Sequence, residues 1–98
     1  MEYEVVFSEE AQAQLQELEV YLAGRFYPGN AERYIERLVD ECESLAGAPQ
    51  RGTRREELGA GIRSTGFERR VTIYFRVLVG RVVILGIFYG GRSPGQDF

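Results

Sequence analysis

The sequence has no histidine, no lysine and no tryptophan, and its only cysteine is Cys42. Those absences remove whole chemistries. Serine–histidine triads, histidine-ligated zinc, Schiff-base lysines and the lysine of phosphate-binding loops are all excluded, and no cofactor is implied. One thiol cannot close a disulfide within the chain. Cys42 falls among the apolar positions of a helical pattern, which reads as a buried, inert side chain in a reducing cytoplasm. No apolar run approaches the roughly 20 residues that span a bilayer, and the start Met1-Glu2-Tyr3-Glu4 is acidic with no signal-peptide core. With 98 residues, one domain over 1–98 is expected and a second is not. A chain of this size buries only about 60 to 65% of the surface its unfolded form exposes, so its margin of stability is thin and a partner that adds buried area is expected.

What charge there is divides unevenly. The net charge is −3, yet residues 1–49 hold eleven acids against three arginines, and residues 50–98 hold nine arginines against four acids. Folded together, the halves give one acidic face and one all-arginine face. The arginines either meet phosphate, carboxylate or an acidic protein partner, or are solvated surface paired with the acidic half.

Tyr3, Val5 and Phe7 alternate with polar neighbours, the pattern of a short strand with one buried face. Ser8 followed by Glu9 and Glu10 is a helix start, although Ala11 stands where a capping box needs glutamate. Ala11, Leu15, Leu18, Leu22 and Phe26 then form one apolar stripe over about four turns. Tyr27-Pro28-Gly29-Asn30 is a turn, and Asn30 is the expected cap of a second helix starting near Ala31. The second stripe is Ala31, Ile35, Leu38, Cys42 and Leu45, widened by Tyr34, Val39 and Ala46, with a stop at Gly47 and Pro49 beyond it. So short a connection makes the two helices antiparallel. Glu32, Glu36, Asp40 and Glu43 fall on the exposed side, where Arg33 and Arg37 are placed for helical-spacing pairs. Residues 50–61 are glycine-rich and basic, and read as a surface loop.

Ile62 to Gly66 reads as a short strand, Val71 to Val79 as a second, and the nearly all-apolar run Arg81 to Tyr89 as a central strand, with Gly80 marking a tight hairpin. Residues 90–98 read as a flexible tail with one charged hook at Arg92. The expected fold is therefore α+β: strand, helix, helix and three strands, a small mainly antiparallel sheet with a helical hairpin on one face. The other face is expected to meet another chain in part.

Three phrases, Glu57-Leu58-Gly59-Ala60-Gly61-Ile62-Arg63-Ser64, Ile73-Tyr74-Phe75-Arg76-Val77 and Ile84-Leu85-Gly86-Ile87-Phe88-Tyr89-Gly90-Gly91-Arg92, stand in an order and spacing that resemble the ParE branch of the RelE/ParE toxin superfamily. The resemblance covers nearly the whole chain. It implies a small bacterial toxin in a hetero-oligomer with a cognate ParD-like antitoxin. ParE-like members act by poisoning DNA gyrase, RelE-like members by cutting messenger RNA on the ribosome, and a third possibility is a non-toxic member kept in an autoregulatory complex.

RNA cleavage needs cations on the phosphate together with a base and an acid. Arg63 and Arg92 are candidate cations, but Phe98 stands where the RelE-like branch carries a tyrosine, and a phenyl ring exchanges no proton. Tyr89, where many ParE-like sequences carry histidine, is the nearby phenol. Without lysine and with net negative charge, the chain alone is not expected to bind nucleic acid. The gyrase-binding class is preferred and no catalytic residue is assigned. Arg63, Arg76, Tyr89 and Arg92 are the candidate contacts for target or antitoxin, and Leu15, Leu18 and Tyr21 the candidate antitoxin groove. For Arg63 the alternative is a structural pair with a glutamate such as Glu57. For Arg76 it is an internal carboxylate. Tyr74 and Phe75 are expected to divide between core and partner-facing sides.

Overall fold

The computed structural model describes residues 3–95. Met1, Glu2 and Gln96 to Phe98, including the terminal ring weighed above, lie outside the described residues. The chain runs β1 (Glu4–Phe7), α1 (Glu9–Ala23), α2 (Pro28–Glu43), a 3-10 turn (Ser44–Ala46), β2 (Thr53–Arg54), a second 3-10 turn (Glu56–Leu58), β3 (Ile62–Phe67), β4 (Val71–Leu78) and β5 (Arg81–Tyr89). The sheet order is β1-β5-β4-β3-β2, with β1 parallel to β5 and every other pair antiparallel. Two helices on one face of a mainly antiparallel sheet is the α+β arrangement the sequence predicts.

Ser8 caps α1 as expected: its hydroxyl accepts from the Ala11 N–H at 3.0 Å, and Glu9 and Glu10 sit in the first turn. Ala11, Leu18 and Leu22 are buried, but α1 ends at Ala23 and leaves Phe26 exposed beyond it. The second helix starts earlier than its asparagine suggested. Its first residue is Pro28, and Asn30 lies inside the helix, where its side chain accepts from Arg33. The α-helix stops at Glu43. The turn Ser44–Ala46 then carries Leu45 into the core before Gly47. Arg37 reaches across to Glu68 through two bonds of 3.2 and 3.3 Å rather than pairing along its own helix.

Tyr3, Val5 and Phe7, with Phe67, Val71, Ile73, Phe75, Val82, Ile84 and Ile87, form the sheet side of the core against Leu18, Leu22, Leu38, Cys42 and Leu45. Ile84 and Ile87 are three apart, a spacing that a regular strand sends to opposite faces. A register shift at Tyr74/Phe75, with Leu85 the extra residue opposite, returns both to the helix side.

Residues 50–61, read from composition as a surface loop, run along the surface but are tied to the sheet. Thr53 and Arg54 pair with Ser64 and Arg63 as an edge strand. Gly52 makes this approach possible: its φ is +83°, and a Cβ there would lie 2.1 Å from the Ser64 carbonyl oxygen. The chain then folds over the helix-free face, where Arg55 Nε donates to Ser64 Oγ at 2.8 Å and the Val77 N–H donates to the Gly61 carbonyl at 3.2 Å. Ile62, Ser64 and Tyr74 are buried on that face, so part of the sheet expected to await another chain is covered by the protein itself. Phe75 belongs to the core, whereas Tyr74 lies on the opposite side with its ring edge-on to Phe88.

Cys42 is fully buried, and burial, with Glu41 and Glu43 adding to it, pushes its thiol up to about 12. The folded state therefore holds a proton that the unfolded state releases near pH 9. Stability is expected to fall as pH rises through the window from about 9 to about 12, by up to roughly 1.4 kcal/mol per unit from this group. Urea titrations across that range check the slope, and a thiol reagent at pH 8 should label the native chain only as fast as it unfolds.

The β3–β4 turn places two ordinary residues in the left-handed region, Glu68 at φ 51° and Arg69 at φ 62°. Arg69→Gly is expected to raise stability by roughly 0.5 to 1 kcal/mol, a few degrees in Tm, because glycine meets no Cβ penalty there. Differential scanning calorimetry of the two chains reads this directly.

Candidate functional site

Gln14, Glu17, Leu18 and Tyr21 recur at spacings of three, one and three, which sets them along one side of α1. That side faces the last residues of β5. Gly90, at φ +70°, turns the chain out of the sheet, so that Arg92 and Ser93 close the far wall of a cleft of about 690 Å³. Leu18 is buried at its base. The Tyr21 and Tyr89 rings meet across it, centroids 5.7 Å apart and planes inclined at 59°. Arg25 stacks its guanidinium 4.3 Å above the Tyr21 ring, outside the cleft proper.

Behind Tyr89 stands Tyr34 of α2, edge-on to Phe67 with centroids 5.4 Å apart and under the Arg37 guanidinium. Its buried hydroxyl has no hydrogen-bonding partner among the described residues. Burial first, then the negative charge of Glu68 and the neighbouring Tyr89, raises its pKa, so this phenol stays neutral and serves packing. A second, acidic groove of about 410 Å³ runs between the helices, where Glu19, Glu32, Glu36 and Asp40 rim Ile35 and Val39.

The fold brings four of the sequence candidates together: Leu18, Tyr21, Tyr89 and Arg92 all border the first cleft. Leu15 does not line it and packs, half-buried, against the core. Arg63 lies elsewhere. It is half-buried on β3, and its guanidinium donates to the backbone carbonyls of Gln50, Arg51 and Gly52, at 2.6 Å for Gln50, rather than pairing with Glu57. Arg76 donates to the Ala60 carbonyl at 3.1 Å, so its partner is likewise a carbonyl and not the carboxylate considered from sequence. Both hold the 50–61 segment against the sheet. The sequence reading missed Gln14, Glu17 and Arg25. Helical spacing from Leu18 and Tyr21 marks the first two, and Arg25 follows Tyr21 by four residues, so the signal was present.

The side chains that converge here include two phenols, an arginine, a glutamate, a glutamine and a leucine. Aromatic and arginine anchors over an apolar base suit the capture of a polypeptide.

Two helices packed on a five-stranded mixed sheet match the fold of ParE/RelE toxin structures. The chain resembles the chromosomal ParDE toxin–antitoxin system from P. aeruginosa, with a TM-score of 0.78 at 21% identity over 90% of this chain and 96% of that one. It also resembles the toxin–antitoxin complex RelBE2 from Mycobacterium tuberculosis, with a TM-score of 0.67 at 22% identity over 94% and 95% of the two chains. No curated protein matches the sequence significantly. The profile of the ParE toxin of the type II toxin–antitoxin system parDE matches residues 5–94, and the chain belongs to that family. Among the described residues no helix is long and apolar enough to cross a membrane.

Proposed function

We infer that this toxin acts in its free form by binding DNA gyrase rather than by catalysis, and that a cognate ParD-like antitoxin neutralises it by seating a segment in the α1–β5 cleft. The observation that carries the reading is the convergence of Leu18, Tyr21, Tyr89 and Arg92 on one concave surface. The dispersal of the other arginines supports a non-catalytic mode. Arg63 stands on β3 opposite Phe75, while Tyr89, which precedes the Arg92 tail, stands on β5 opposite Val71, so the two candidate phosphate-binding cations do not share a site. Arg63 and Arg76 direct donors to backbone carbonyls of their own chain. An acidic helical groove faces outward and disfavours docking on RNA.

Controlled expression of the chain alone in a bacterium tests this, with the DNA-damage response and messenger integrity followed in one culture. Filamentation with an induced damage response and intact messenger is expected, together with loss of supercoiling by purified gyrase and its recovery on adding antitoxin. Cleaved messenger with a quiet damage response and unaffected gyrase overturns the reading.

A further inference from the structure

β5 outruns its neighbour. Pairing with β1 covers only Glu4↔Arg81 to Phe7↔Ile84, after which the Ser8 N–H donates to the Ile84 carbonyl at 3.0 Å and the Ser8 hydroxyl to the Leu85 carbonyl at 3.2 Å. On the other side β5 stays paired with β4 to its end. The Gly90 N–H donates to the Arg70 carbonyl at 2.7 Å, which fixes the phase of that ladder. Phe88 therefore exchanges bonds with Thr72, whereas Ile87 and Tyr89 stand opposite Ile73 and Val71 as non-hydrogen-bonded pairs. The N–H and C=O groups of Ile87 and Tyr89 point out of the sheet, toward the cleft.

An open strand edge beside a helix leaves strong donors and acceptors unmatched. One of them is matched by a side chain: the Ile87 N–H donates to Gln14 Oε1 of α1 at 2.6 Å. The Ile87 carbonyl and both backbone groups of Tyr89 have no such partner among the described residues.

We propose that this edge is a strand-acceptor site: an extended segment of a partner protein pairs with Ile87–Tyr89 as an added strand, and Gln14 is its placeholder. In the free chain the Gln14 amide oxygen occupies the position of the incoming carbonyl. The proposal rests on the reading that the cleft receives the antitoxin, and it specifies how. A helix laid in the cleft would leave the edge groups desolvated and unpaired, whereas a strand satisfies them. Alternate side chains of that strand face α1, where Leu18 and Tyr21 present apolar surface, and a carboxylate on the segment meets Arg92 or Arg25 at the rim. The turn at Gly90 limits the site to the last three residues of β5. The partner segment is thus extended, short, alternately apolar and acidic.

Amide hydrogen exchange on the full chain, free and in its co-purified complex with the full antitoxin of its own operon, tests the pairing. The Tyr89 amide is expected to slow by about tenfold or more in the complex. In Gln14→Ala the Ile87 amide exchanges faster in the free chain and regains protection in the complex, since the partner's carbonyl replaces the amide oxygen. Tyr89→Pro, which removes an outward N–H without touching the β4 ladder, is expected to weaken binding at least about fivefold more than Tyr89→Ala. Exchange in the unaltered chain decides the matter if the proline variant does not fold. A complex in which the Tyr89 amide exchanges as fast as in the free chain overturns strand pairing and leaves the antitoxin reading standing. Absence of any complex overturns both. Protection that appears in the free chain and grows with its concentration assigns the edge to a second copy and also overturns the proposal.

Discussion

Phe75→Ala is expected to unfold the isolated chain at ambient temperature or bring it to the edge of doing so. Phe75 is fully buried in β4, the central strand of the sheet, between the bulge at Tyr74/Phe75 and the helix pair. Removing a buried phenyl ring costs about 3 to 5 kcal/mol, the sum of lost transfer energy and a cavity that a rigid sheet cannot collapse. A domain of this size has a total stability of only about 5 to 15 kcal/mol, and the small fraction of surface it buries points to the lower end. Urea unfolding followed by circular dichroism is the measurement, with Val83→Ala on the half-buried opposite face expected to cost under about 1.5 kcal/mol. A partner present at a hundred times its Kd returns about 2.7 kcal/mol, so Phe75→Ala should be recovered folded from co-expression with antitoxin and lost without it. An unchanged urea midpoint for Phe75→Ala would show that the core is not centred where β4 places it.

The elements that were legible in sequence are those whose signal is local. Ser8 with two glutamates, the helical stripes and the alternation of Tyr3, Val5 and Phe7 each report a nearby physical requirement, and each is met except at Phe26, which lies past the end of α1 and is exposed. What escaped depends on residues far apart in the chain. β2 exists because Gly52 can come within contact of the Ser64 carbonyl and because Arg63 gathers three carbonyls from the same segment, and no pattern within residues 50–61 announces either. The same holds for the site. The helix marks Leu18 and Tyr21, and the end of the last strand marks Tyr89 and, just beyond it, Arg92, but their convergence is a property of how α1 crosses the end of β5. Arg63, a candidate cation for phosphate, and Arg76, an arginine inside an apolar strand, both turn to backbone carbonyls of their own chain. The backbone carbonyls they bind are invisible in composition.

Tyr21→Glu is expected to separate neutralisation from stability. Tyr21 is 45% exposed, so the free chain should change in stability by less than about 1 kcal/mol. Its consequences for the cleft are larger. The contact with the Tyr89 ring is lost, Arg25 loses the aromatic face beneath its guanidinium, and a new carboxylate is placed one helical turn from Glu17. An acidic partner segment then meets repulsion where it had met an aromatic anchor, and a loss of about 2 to 3 kcal/mol, roughly 30- to 150-fold in Kd, is expected. Calorimetric titration of antitoxin into both chains measures it, with Tm recorded alongside. In cells the variant should remain poisonous while antitoxin no longer rescues growth, provided that gyrase engages a surface apart from this ring. Equal affinity of the antitoxin for Tyr21→Glu and the unaltered chain would place its seat outside the α1–β5 cleft. Loss of toxicity together with loss of antitoxin binding would mean that target and antitoxin compete for the same aromatic wall, in which case neutralisation is direct occlusion.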